Sequence, residues 1–104
     1  MTGGREGDDM KVFFERSGGF MGVPRQVSID SDSNSPDTKE KLTRLIESSR
    51  FFDMPPRIDA TGHPDSFQYK IIVEEGERKH SVTLDEASMP NELKPLVKYL
   101  MGKM

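Results

Sequence analysis

At 104 residues, with 33% hydrophobic side chains and an apolar share that stays below the usual roughly 45 to 50% even when its 9 glycines are added, the chain has room for one domain with one small core. Its 15 basic and 18 acidic side chains leave a net charge of -3 with the signs mixed along the chain, which argues against nucleic-acid binding and toward a protein partner. The absence of cysteine excludes disulfides, thiolate metal sites and thiol nucleophiles, and no run approaches the roughly 20 apolar residues of a membrane span.

Residues 1–9, Met1-Thr2-Gly3-Gly4-Arg5-Glu6-Gly7-Asp8-Asp9, lack the apolar stretch of a secretion signal, so the cytoplasm is the expected compartment. They bury too little to offset the entropy of ordering and are expected to form a disordered tail on a single domain spanning 10–104. Met10 also offers an alternative start. Lys11 to Arg16 is rich in β formers and reads as a strand, with Val12 and Phe14 on one face and Phe13 on the other. Arg25 to Asp30 alternates strictly and is its expected partner, with Phe14 opposite Val27 and Val12 opposite Ile29. The connection from Ser17 to Pro24 is long for a hairpin.

A polar linker, residues 31–35, ends in a helix start: Ser35 as N-cap, Pro36 at the first helical position and Asp37 in the first turn. Leu42, Leu45 and Ile46 give the apolar stripe of a helix reaching about Arg50. Phe51 and Phe52 are then expected to turn the chain back onto the core ahead of Pro55-Pro56, and Arg57 to Ser66 reads as a loop. Phe67 to Glu74 and Arg78 to Leu84 read as a hairpin whose Gly76-Glu77 turn suits type II′. That turn pairs Val73 with His80, Ile71 with Val82 and Tyr69 with Leu84. Asp85 to Met89 is a connector. Pro90 to Met101 carries a second helical stripe, Leu93, Leu96, Val97, Leu100 and Met101, with Pro95 tolerable only in the first turn. The order ββαββα predicts an α+β fold, a four-stranded antiparallel sheet with two helices packed on one face.

Catalysis requires a nucleophile beside a base, a metal cluster or paired carboxylates, and the pattern offers none of these. His63 and His80 lack zinc-helix spacing; His63 reads as a loop residue and His80 as a strand residue whose ring covers the core edge. Glu74, Glu75 and Glu77 read as solvated charges around a turn. The segment without a comfortable structural explanation is Ser17-Gly18-Gly19-Phe20-Met21-Gly22-Val23-Pro24. Its glycines free the backbone while Phe20, Met21 and Val23 place large apolar groups where loops are usually polar. Two readings stand: Phe20 or Met21 folds back as a lid on the core edge, or Phe20 enters a pocket on a partner.

Met10 to Pro24 (Met-Lys-Val-Phe-Phe-Glu-Arg-Ser-Gly-Gly-Phe-Met-Gly-Val-Pro), Ser49 to Pro55 (Ser-Arg-Phe-Phe-Asp-Met-Pro) and Pro64 to Tyr69 (Pro-Asp-Ser-Phe-Gln-Tyr), in that order, resemble the emfourin family. Emfourins are small bacterial proteins that inhibit thermolysin-like zinc metallopeptidases such as protealysin. The resemblance implies a protein inhibitor rather than an enzyme, without cofactor or metal of its own, whose partner is a thermolysin-like, protealysin-type metallopeptidase. A monomer is expected, and the charge balance and the lack of an apolar span already set nucleic acid and membrane aside as partners. Such peptidases prefer a bulky apolar residue just after the bond they cut, which makes sense of Phe20 as an anchor, with Gly18 and Gly19 letting the backbone lie along the cleft. The choice of this loop rests on its composition. The expected partner-binding residues are Glu15, Arg16, Ser17, Gly18, Gly19, Phe20, Met21, Gly22, Val23, Pro24 and Arg25, with Glu15 or a loop carbonyl approaching the zinc and Arg16 and Arg25 meeting acidic groups on the cleft rim. The alternative is a non-inhibitory binding module or assembly partner.

Overall fold

Met10, Val12 and Phe14 recur at every second position, and a strand turns all three to one side, where each is at most 1% exposed. In the computed structural model, which describes residues 10–18, 24–30, 36–58 and 67–103, this strand is β1 (Met10–Gly18). It pairs antiparallel with β2 (Arg25–Asp30) in the expected register, Phe14 opposite Val27 and Val12 opposite Ile29. β1 outruns the expected Lys11 to Arg16 because its other edge is also occupied: β4 (Phe67–Glu75) lies antiparallel along its whole length, from Met10 opposite Glu75 to Gly18 opposite Phe67. The expected tail at residues 1–9 lies outside the described residues.

β4 returns through Gly76-Glu77 into β5 (Arg78–Asp85), with Val73 opposite His80, Ile71 opposite Val82 and Tyr69 opposite Leu84. Gly76 has φ 60° and Glu77 does not share that sign, as a type II′ turn demands. Glu75 and Arg78 close the turn with an ion pair, and Lys79 reaches Glu74 across the strands at 3.7 Å.

The four-stranded antiparallel sheet is corrected in one respect. Arg57 and Ile58, read from sequence as the start of a loop, form β3 (Arg57–Ile58), which lies parallel to β5 at the far edge. The sheet is therefore five-stranded and mixed, in the order β2-β1-β4-β5-β3. Thr83 donates its backbone N–H to the Pro56 carbonyl at 2.9 Å, and Ser88 Oγ lies 3.2 Å from the Ile58 carbonyl oxygen, so a short segment is tied down from two sides.

Two helices supply the second layer. α1 (Pro36–Ser49) buries Leu42 and Ile46 and leaves Leu45 half-buried; its expected cap, Ser35, lies outside the described residues. α2 (Lys94–Met101) buries Leu96, Val97 and Leu100, and is led in by a 3₁₀ turn, Asn91–Leu93, that buries Leu93. Pro95 sits in the first turn of α2, where its missing N–H has no helical partner to lose. Both helices join Tyr69, Ile71, Val73, Val82 and Leu84 in one apolar cluster on one face of the sheet. Each of the large buried side chains stabilises the fold by about 1.5–3 kcal/mol. The opposite face is open, with Lys11, Ser28, Lys70 and Lys79 exposed and Phe13 half-buried in register with Ile72. Phe13 is thus on the other side of the sheet from the Phe51-Phe52 segment. Among the described residues, no helix is long and apolar enough to cross a membrane.

Candidate functional site

Because β1, β2 and β4 are antiparallel, the end of β1 and the starts of β2 and β4 lie at one end of the sheet. The end of β3 joins them, since Ile58 is level with Leu84 and Leu84 with Tyr69. The described flanks of two connections, 19–23 and 59–66, therefore converge there. Of the expected partner-binding residues, Glu15, Arg16, Ser17, Gly18, Pro24 and Arg25 are described, and Gly19, Phe20, Met21, Gly22 and Val23 lie outside the described residues, as does His63.

The six described residues do not form one surface. Alternation puts Glu15 and Ser17 on the open face, opposite Lys70 and Gln68 of β4, while Arg16 and Arg25 share the helix-side face and stand directly across from one another. Pro24 is exposed. Gly18, the last residue of β1, has φ 86°, a conformation that glycine adopts without the Cβ clash other residues meet there.

Arg16 is engaged within the chain. Its guanidinium lies 4.5 Å above the centre of the Phe67 ring and reaches the Tyr69 hydroxyl. Tyr69 is 3% exposed and its ring stacks on Phe14, with centroids 5.7 Å apart. Burial, then the charge of Glu86, push the phenol above its ordinary value against the opposing pull of Arg16, so the hydroxyl stays neutral at physiological pH. Arg25, by contrast, is exposed. Phe67, Tyr69 and Glu86 were not among the expected site residues. The signal that could have found them is the β1–β4 register, which no turn connects and sequence alone does not fix.

A second segment of note follows α1. Ser49 closes the helix by donating its hydroxyl to the Ile46 carbonyl at 2.8 Å, and Arg50 takes the left-handed conformation, φ 56° and ψ 44°, a position that usually falls to glycine. That reversal drives Phe51 into the core with no exposed surface, as expected of the aromatic pair, while Phe52 is half-buried with Arg78 lying 4.1 Å over its ring. His80 packs edge-on to Phe51, centroids 5.5 Å apart, and its Nε2 lies 2.7 Å from the Met54 carbonyl oxygen. A carbonyl only accepts, so Nε2 carries the proton and the ring seals the core edge. Among the described residues no cluster of three or more His, Asp or Glu side chains could hold a metal ion.

A model of the emfourin family matches residues 14–101, from the middle of β1 to the last residue of α2. The chain belongs to the emfourin family. No curated protein and no solved structure shows significant similarity to this emfourin. The family match includes both feet of the 19–23 connection, the Arg50 reversal and the Arg16–Phe67–Tyr69 stack.

Proposed function

We propose that this emfourin inhibits thermolysin-like zinc metallopeptidases by seating the connection between Gly18 and Pro24 in the active-site cleft. The observation that carries this reading is the family match over residues 14–101. Geometry supports the choice of segment. One foot ends an interior strand paired on both edges, the other begins β2, and feet held in place reduce the ordering that binding must impose. In this reading Phe20 fills the pocket for the residue after the scissile bond, and Arg25 meets acidic groups on the cleft rim.

The test is to titrate the purified chain into a thermolysin-like peptidase with a quenched peptide substrate, with a trypsin-like serine peptidase alongside. Inhibition that rising substrate relieves, with the serine enzyme untouched, is the expected result. Binding that a small active-site ligand does not displace, without loss of activity, would instead identify a non-inhibitory binding module.

A further inference from the structure

Between α1 and α2, on the solvent side of the helix layer, a groove of about 460 Å³ is floored by Leu45, Pro95 and Tyr99 and ringed by Lys41, Lys98 and Lys103. Its size is that of a site for one or two bulky side chains. Among the described residues, no carboxylate lines it. Three other surface grooves of the described chain each carry at least one: Asp30 and Glu74 in one, Asp53 and Glu92 in another, Glu86 in the third. Elsewhere Arg44, Arg78 and Lys79 each have a carboxylate within ion-pair distance, whereas none of the three groove lysines pairs with a described carboxylate. Lys103 instead lies 5.2 Å over the Tyr99 ring.

Helix electrostatics accounts for part of this. Lys98 is in the last turn of α2, where a cation complements the helix dipole, and Lys103 follows just beyond. Lys41 is in the second turn of α1, where the dipole offers a cation nothing. Three positive charges around an apolar floor of half-buried Leu45 and Tyr99 and exposed Pro95, in a chain whose net charge is -3, are a local reversal of sign.

We propose that this groove is a docking site for an acidic peptide segment of a protein partner, in which carboxylates meet Lys41, Lys98 and Lys103 while one bulky apolar side chain lies on Leu45 and Tyr99. Charge complementarity selects the occupant, and the concave apolar floor favours a peptide with an anchor residue over a flat anionic surface. The site shares none of the residues proposed to engage a peptidase, so it stands or falls separately from the inhibitor reading.

The probe is a fluorescein-labelled hexapeptide, leucine and phenylalanine flanked on each side by two glutamates, followed by fluorescence anisotropy with the full chain at low salt. Saturable binding is expected, weakened roughly tenfold or more when glutamines replace the glutamates or when Lys41→Glu and Lys98→Glu are combined. Gly102→Phe tests the groove without altering charge. Gly102 has right-handed backbone and lines the groove, and a Cβ there meets only the Tyr99 carbonyl oxygen at 3.4 Å and that of Lys98 at 3.7 Å, so there is room to start a bulky side chain at the groove wall. Roughly fivefold weaker binding is expected, with unchanged circular dichroism. Lys70→Glu with Lys79→Glu, on the open sheet face, should leave affinity as it is. Absence of saturable binding, equal binding of the glutamine peptide, wild-type affinity in both groove variants, or equal loss in the sheet-face variant would each overturn the proposal.

Discussion

Arg16 and Arg25 occupy opposed positions on neighbouring strands, where like charges repel, and the fold resolves the conflict by giving them different environments. Arg16 spends its charge on Phe67 and Tyr69, and Arg25 faces solvent. Between them in the chain, Phe20 is the proposed anchor of the inhibitor reading. Phe20→Ala should raise the inhibition constant at least tenfold, since an anchor that fills a pocket is commonly worth about 2 kcal/mol. Thermal unfolding measured on the same variant should be unchanged, and an unaltered inhibition constant would remove Phe20 from the role. Phe20 was legible as a candidate because a large apolar group among glycines contradicts ordinary loop chemistry. Arg16 was a candidate too, but its place beside Phe67 was hidden: the sequence showed a cation at a strand end, and its ring partner lies some fifty residues further on, across a ladder that no short turn announces.

The elements that could be read in advance are those in which periodicity and turn chemistry agree. β4 and β5 alternate cleanly, and Gly76 meets the backbone requirement of their turn, so hairpin and register followed together. β3 lacked both signals. Two residues carry no period, and a parallel pairing has no turn to mark it; its position comes from the Pro56 carbonyl and from Ser88. The end of α1 was placed within a residue, but its manner was hidden, because arginine is an unusual choice for a left-handed position. Holding Arg50 there costs about 1–2 kcal/mol, partly offset by the greater freedom a glycine would lose on folding. Arg50→Gly should therefore stabilise the protein by about 0.5–1 kcal/mol, seen as a rise in melting temperature of roughly 2 to 6 °C by calorimetry. A fall would mean that the Arg50 side chain makes a contribution larger than its backbone strain.

Across the whole molecule, one layer of helices covers one face of a five-stranded sheet, and the two candidate surfaces belong to different parts of that plan. The connection proposed to meet a peptidase leaves the end of the sheet, and the cationic groove lies on the outside of the helices. The interior position of β1 has a consequence for an inhibitor that offers a peptidase its own backbone. One cut between Gly18 and Pro24 would sever the chain without freeing the piece, because β1 is laddered to β2 on one edge and β4 on the other and seats Met10, Val12 and Phe14 in the core. The nicked protein should run as two fragments on a denaturing gel yet elute as a single native species with its circular dichroism intact. Fragments that separate on the sizing column would show that the ladders and these core contacts together are too weak. If they hold, a cut in this connection leaves both pieces in one folded body, and the two feet of the connection keep their places at the end of the sheet.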